Sequence, residues 1–356
     1  MQRTVQRLPL AALAAQLLRE GVEQGRWGAE LPGERHLSDQ LGVSRPTLRS
    51  ALTLLSREGL LSVSHGRATR ILLPGPRGAS PRPGVVVLLS PVPLEAMPPL
   101  AMYWLAEVRA NLAAVGTTLE LDVMRASAAG LPDRMLEQHV RRRPGALWLL
   151  YLSTGAVQRW FRDRGVPCVV AGSCAPGIRL TSVDIDQRAT SRNAAGRMFA
   201  RGCRRPALLR PEGDHPGEHE SEAGFREAWE RSRSAAGDPL VLRHDGSVAS
   251  VCARLDAAIR SKAGADGFLV SRSRHALTAL THLARRGVRV PQDMPLVSRD
   301  DDAYLDFIVP RVARYSADPA EFARRLSRAV RARLLSEGDG SRGFRLLPRF
   351  IPGETL

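Results

Sequence analysis

The chain has 356 residues, 44% of them hydrophobic, enough for two or three domains with apolar cores. Its formal net charge is +16 and Lys262 is the only lysine, so arginine carries almost all of the basic charge; this agrees with a polyanion partner and equally with a GC-rich genome. Cys168, Cys174, Cys203 and Cys252 form no CxxC pair and no cysteine–histidine spacing suits zinc, which excludes the disulfide-stapled and zinc-stapled classes.

Leu10, Leu13, Leu17 and Leu18 fall at helical spacing within residues 8–24, with Gly25 as a stop. This predicts a helix packed against the segment that follows. The apolar stretch is short and runs into Arg19-Glu20, so it reads as an amphipathic helix rather than a signal peptide. No run is long enough to span a bilayer, and the expected location is cytoplasmic, with no membrane partner.

Residues 31–71, LPGERHLSDQLGVSRPTLRSALTLLSREGLLSVSHGRATRI, predict two short helices, a turn at Gly42-Val43, and a two-stranded ribbon. Ser44 suits the N-cap of the second helix and Pro46 its first turn, where no backbone donor is required. Leu48, Leu52 and Leu55 bury one face, while Arg45 and Arg49, four apart, share an exposed side. Arginine there can donate two parallel bonds to guanine in a major groove, and Thr47 can reach a phosphate or a thymine methyl. His65-Gly66-Arg67 forms the basic tip of the ribbon, a wing.

These residues resemble the GntR family of bacterial transcription regulators almost position by position, with SHGRATRI standing where that family's wing stands. The resemblance implies base contacts from Arg45 and Arg49, phosphate contacts from Arg35, Ser44 and Thr47, and a wing tip of His65 and Gly66, with Arg67 beside them, near the minor groove. Gly33 replaces the family's usual serine cap, a small loss.

PGPRGASPRPG, residues 74–84, has no apolar residue larger than alanine and reads as an interdomain linker after a domain of residues 1–73. From Val85 short apolar runs alternate with helical stretches: VVVLLS, TLELDVM, ALWLLYLS and PCVVAG, then, after TSVDIDQ, PALLRP, PLVLRH, GFLVS and MPLVSRD. This rhythm predicts parallel sheets covered on both faces, in two lobes with a cleft between them. The fold class expected is therefore α/β, with an N-terminal winged helix-turn-helix and a two-lobed domain.

Most of residues 85–356 is similar to the effector-binding region of the LacI/GalR family, which has a periplasmic-binding-protein-like fold. The pieces are GALWLLYLSTGAVQRWFRDRGVPCVVAG, SVDIDQRATSRNAAGRMFARGCRRPALL, EAGFREAWE, LARRGVRVPQDMPLVSRDDD and LLPRFIPGET, in that order. The resemblance implies a homodimer and three crossovers, near Asp186, near Pro310 and after helix 319–336. Lobe one would hold 85–186 and 311–336, and lobe two 187–310 and 337–356. It also implies a small ligand, often a sugar, in the cleft.

Ligands of open α/β lobes sit beyond the carboxyl ends of the strands. That rule nominates Ser90, Ser153, Asp184, Asp186, Arg272, Arg299 and Asp300 as ligand-binding residues, with Asp300 matching the family's ligand-contacting aspartate. Two family positions differ: Ser221 replaces an arginine before Gly224-Phe225, and Arg272-Ser273 replaces Asn-Asp. A neutral sugar is therefore in question, and Arg272 and Arg299 suggest an acidic or phosphorylated effector. Asp300-Asp301-Asp302 as a metal site, and His215, Glu218, His219 and Glu220 in a loop after a strand as a zinc site, are weaker readings; Pro216-Gly217 speaks against a regular helix there. Trp104, Trp148 and Trp160 suit core or dimer packing better than ligand stacking.

No catalytic constellation, cofactor motif or metal set is expected. The partners expected are a double-stranded DNA operator, a sugar-like effector and a second copy of the chain. The reading favoured is a ligand-responsive regulator, more a repressor than an activator. The alternatives are a constitutive regulator with a degenerate cleft, or an enzyme or binding protein with a DNA-binding appendage.

Overall fold

The computed structural model describes residues 10–23, 27, 30–57, 61–62, 69–71, 84–124, 133–232, 235–261, 264–335 and 343–356. The chain divides into two compact units, Met1–Arg82 and Pro83–Leu356. Most of linker 74–84, together with His65, Gly66 and Arg67, lies outside the described residues. No helix among the described residues is long and apolar enough to cross a membrane.

The first unit contains helices α1 (Leu10–Glu23), α2 (Glu34–Leu41) and α3 (Arg45–Arg57), then an antiparallel pair of short strands, β1 (Leu61–Ser62) and β2 (Arg70–Ile71). Its core joins Ala14, Ala15 and Leu18 of α1 to Leu37, Leu48, Ala51, Leu52, Leu55 and Leu61. Of the four leucines of α1 only Leu18 is buried, while Leu10, Leu13 and Leu17 are exposed. The close crossing of α1 on α3 takes the small residues Ala14 and Ala15 on the inner face, which turns the three leucines outward.

The second unit is built on two six-stranded sheets. Its elements run β3 (Val85–Ser90), α4 (Pro99–Ala113), β4 (Thr118–Val123), α5 (Asp133–Arg141), β5 (Leu147–Tyr151), α6 (Gly155–Asp163), β6 (Cys168–Ala171) and β7 (Ser182–Ile185). They continue with α7 (Gln187–Ala200), β8 (Pro206–Pro211), α8 (Pro216–Arg231), β9 (Leu240–His244), α9 (Val248–Arg260), β10 (Gly267–Val270), α10 (Ser273–Arg285) and β11 (Leu296–Ser298). The last elements are β12 (Ala313–Ser316), α11 (Pro319–Leu334), β13 (Gly343–Leu346) and β14 (Arg349–Ile351). The sheet orders are β13-β7-β6-β5-β3-β4 and β14-β12-β11-β10-β8-β9. Every pairing is parallel except that of β12 with β14.

Both sheets are covered on both faces, which is why their strands read as continuous apolar runs. In β3, Val86 and Leu88 pack with Trp104, Leu105 and Val108 of α4 and Phe322 and Leu326 of α11, while Val87 and Leu89 pack with Leu136, Trp160 and Phe161 on the other face. In the second sheet Phe268 and Val270 meet Leu255 and Leu280, and Leu269 meets Met198, Phe225 and Trp229. Trp104, Trp148 and Trp160 are core residues.

Two lobe assignments are corrected. Residues 311–336 were expected wholly in lobe one, but β12 pairs with β11 in the second sheet and only α11, against α4, belongs to the first. Residues 337–356 were expected wholly in lobe two, but β13 pairs with β7 in the first sheet and β14 with β12 in the second. The chain therefore crosses at Asp186, at residues 317–318 and at residues 347–348. Apolar periodicity marks a strand without saying which sheet receives it, and the crossover that the resemblance placed near Pro310 comes only after β12.

Candidate functional site

In the first unit the helix–turn–helix is set by three local devices. Gly42 ends α2 with φ +62, a left-handed conformation that side chains disfavour, and lets the chain reverse. Ser38 Oγ donates to the Val43 carbonyl at 2.6 Å and ties the turn down. Ser44 Oγ accepts from the Thr47 backbone N–H at 3.3 Å and caps α3, and the two hydroxyls lie 2.7 Å apart.

With Leu48, Ala51, Leu52 and Leu55 buried, Ser44, Arg45 and Arg49 of the same stretch are exposed and Thr47 is half-buried; Arg35 is exposed on α2. Arg49 is not bare: its Nε lies 3.0 and 3.2 Å from the Glu34 carboxylate oxygens, at 65% and 32% side-chain exposure. An ion pair so open is worth little and exchanges readily.

In the second unit the strand ends of both lobes meet across a cleft. Arg345 on β13 lies 3.5 Å from Glu220 on α8 of the other lobe. Tyr151, at the end of β5, faces the charges of Arg272 and Asp300; burial pushes its phenol up to about 12.

At the centre stands a cluster that joins the expected Arg272, Arg299 and Asp300 to Glu218, which was not among the expected ligand-binding residues. Glu218, in the first turn of α8, receives Arg299 through two bonds, Nη1 to Oε2 at 3.1 Å and Nη2 to Oε1 at 3.2 Å. Arg272 Nη2 reaches Glu218 Oε1 at 2.6 Å. Asp300 joins both arginines, 3.1 Å from Arg299 Nε and 3.3 Å from Arg272 Nη1. The side chains of Glu218 and Arg299 are 1% exposed, those of Arg272 and Asp300 25%. Burial alone would raise the Glu218 carboxyl, but attraction to Arg299 and Arg272 overrides it and holds the group down at about 2.

The other nominated residues are scattered in role. Asp184 is buried, bonded to the Ser173 hydroxyl and to the Ile185 N–H, and burial pushes its carboxyl up to about 6. Ser153 accepts from Gln158 Nε2 at 3.0 Å. Ser90 closes a turn on Val92, and Asp186 caps α7 by accepting from the Ala189 N–H at 2.8 Å. These last two hydroxyl and carboxyl groups are engaged by their own backbone.

Ser221 is buried against α7, with its hydroxyl 2.5 Å from that of Ser191. There α7 and α8 cross so closely that a Cβ on Gly224 would lie 2.0 Å from the Arg188 carbonyl oxygen. Asp301 pairs with Arg314 at 2.5 Å and Asp302 with Ser273 at 3.4 Å, so the three aspartates diverge. Among the described residues no group of three or more His, Cys, Asp or Glu side chains gathers as a metal site.

The loop expected around His215–Glu220 is corrected: α8 begins at Pro216, and proline at its first position is compatible with helix because no donor is needed there. Starting the helix at Pro216 brings Glu218 into the cleft, and the proline was the signal that could have found it. Behind the cluster, His244 and His275 stack edge to face with centroids 4.3 Å apart, and burial pushes both imidazoles down to about 4.

Residues 10–71 match the bacterial regulatory proteins of the gntR family, and residues 195–356 match the periplasmic binding protein-like domain. The chain joins a GntR-family domain to a periplasmic-binding-protein-like domain. The fatty acid metabolism regulator proteins of Haemophilus influenzae and Vibrio cholerae are 41% identical to it over 63 residues, 17% of this chain. The chain thus spans only 26% and 23% of those relatives.

Among solved structures, a LacI transcriptional regulator from Bacillus cereus has a TM-score of 0.68 at 14% identity, covering 77% of this chain and 99% of that one. The transcriptional regulator CelR–cellobiose complex has a TM-score of 0.66 at 21% identity, covering 98% and 100%. A LacI family regulator from Enterococcus faecium with bound ribose has 0.63 at 17%, covering 76% and 98%. These similarities establish the fold of the second unit.

Proposed function

We propose that the protein is a ligand-responsive transcription regulator, a repressor that binds a pseudo-palindromic operator as a dimer and is switched by a sugar-like molecule in the interlobe cleft. The observation carrying this is the exposed, Ser44-capped face of α3, with Arg45 and Arg49, in one chain with a cleft-bearing two-lobed domain. Arg45 and Arg49 read bases, while Arg35, Ser44 and Thr47 hold phosphates. Ligand closing the cleft would rotate the lobes and change the spacing of the two DNA-binding heads, for which a coupling of about 1–3 kcal/mol suffices.

The fatty acid regulators share only the DNA-binding head, so nothing about their effectors carries over. The cellobiose and ribose complexes share the fold of the cleft domain and support a sugar-like ligand. A constitutive regulator is the second reading, favoured by the mutual pairing of the cleft arginines with Glu218 and Asp300. Selection of bound genomic fragments, followed by footprinting with and without candidate sugars, tests both. A palindromic footprint released by one sugar is expected; a footprint that no cleft ligand alters establishes the constitutive reading, and no sequence-selective footprint sinks both.

A further inference from the structure

We infer that Glu218 sets the ligand class of the cleft: by neutralising Arg272 and Arg299 from within, it reserves the cleft for uncharged, hydroxyl-rich ligands and rejects phosphorylated and carboxylated ones. This rests on reading the interlobe cleft as the ligand site. Two guanidinium groups stand together at the strand ends of one lobe, Arg272 partly exposed and Arg299 buried behind it, an arrangement that from sequence invites an anion. The structure fills the position of that anion with a side chain of the protein.

Arg299 gives two donors to Glu218 and a third to Asp300, and Arg272 gives one to each carboxylate. Two cations and two carboxylates sum to no net charge. An acidic ligand would have to displace Glu218, whose side chain is 1% exposed and whose helix begins two residues earlier. The helix N-terminus adds its own preference for that carboxylate.

The surroundings point the same way. His244 and His275 are held neutral by burial, the opposite wall contributes the acidic side chain of Asp184, and Arg345 is paired with Glu220. Arg274 adds one positive charge near Tyr151. What the cluster leaves accessible is the outer quarter of Arg272 and Asp300, a donor beside an acceptor. A hydroxyl group, which donates and accepts, matches that edge; a phosphate, which is an anion, is repelled by its carboxylate half.

The test uses the full chain and follows thermal shift and calorimetry with glucose, cellobiose, glucose 6-phosphate and inorganic phosphate at matched ionic strength. The unaltered protein is expected to gain nothing from either phosphate beyond the effect of chloride. Glu218→Gln leaves two arginines against one carboxylate and is expected to bind inorganic phosphate at least about tenfold more tightly than the parent, the scale of one charge-assisted bond. Asp300→Asn reaches the same charge count at a more exposed position and is expected to show the same gain, so it decides alone if Glu218→Gln fails to fold.

Because the arginines of the DNA-binding head are identical in all three proteins, only the difference from the parent reports on the cleft. Stabilisation of the parent by glucose 6-phosphate overturns the inference, and so does the absence of a phosphate gain in the folded variants. Neither result depends on an operator: a phosphate gain in a protein that no sugar releases from DNA upholds the charge assignment and sinks the regulatory reading.

Discussion

Arg49–Glu34 and Arg299–Glu218 join the same two residue types at nearly the same distances, 3.0 and 3.1 Å, yet the settings reverse their meaning. The first pair is open to water, so its carboxylate can give way to a phosphate or a base at little cost. The second is sealed, and removing either partner leaves a buried charge with fewer partners in a medium that solvates it poorly. Arginine on α3 is therefore available to an outside partner, whereas arginine in the cleft is part of the wall.

The largest effect expected from breaking this contrast is on stability. Glu218→Ala should lower the unfolding free energy by roughly 3 kcal/mol in urea titration, because buried Arg299 loses both bonds from its terminal nitrogens and keeps only that from Nε to Asp300. Arg49→Ala should change it by under about 1 kcal/mol. Equal losses for the two variants would show that burial does not separate the pairs.

Next in size is an acid-dependent loss confined to the second unit. His244 and His275 titrate at about 4 when folded, below their ordinary 6.5, so the unfolded chain takes up protons first. Their contribution is whole above about pH 6.5 and falls as pH drops toward 4, on the order of a few kcal/mol for the two coupled rings. Replacing both with Gln should flatten that limb of the stability–pH curve; an unchanged limb would assign it to other groups.

On the exposed side, Arg45→Ala should cost roughly 1–3 kcal/mol of discrimination between operator and mismatched DNA, while salt-sensitive nonspecific binding persists. Normal discrimination by the variant in a competition gel shift would remove Arg45 from base reading. Smallest is Glu34→Gln, which frees Arg49 and should tighten nonspecific DNA binding by under about 1 kcal/mol at low salt, with the gain fading as salt rises. Weaker binding would mean that Glu34 positions Arg49 rather than competes for it.

Local rules made much of the DNA-binding head legible. Gly42, Ser44 and the Leu48, Leu52, Leu55 face follow from turn chemistry, capping and helical period, all of which act within a few residues. The leucines of α1 were not legible, because which face of a helix is buried depends on how closely its neighbour approaches, and that is set by Ala14 and Ala15. In the cleft, Arg272, Arg299 and Asp300 were found from the rule that ligands sit at strand ends. Glu218 was not, because its place depended on α8 starting at Pro216.

Sequence alone determined the order of elements, the GntR-like head and the two-lobed α/β plan, since each is written in short-range pattern. Tertiary structure alone decided which sheet took β12 and β13, and where the chain crosses between lobes, because strand pairing is a long-range choice. It also decided that the cleft arginines meet a carboxylate of their own chain. Glu218 and Arg299 stand 81 residues apart, a separation over which no periodicity carries information.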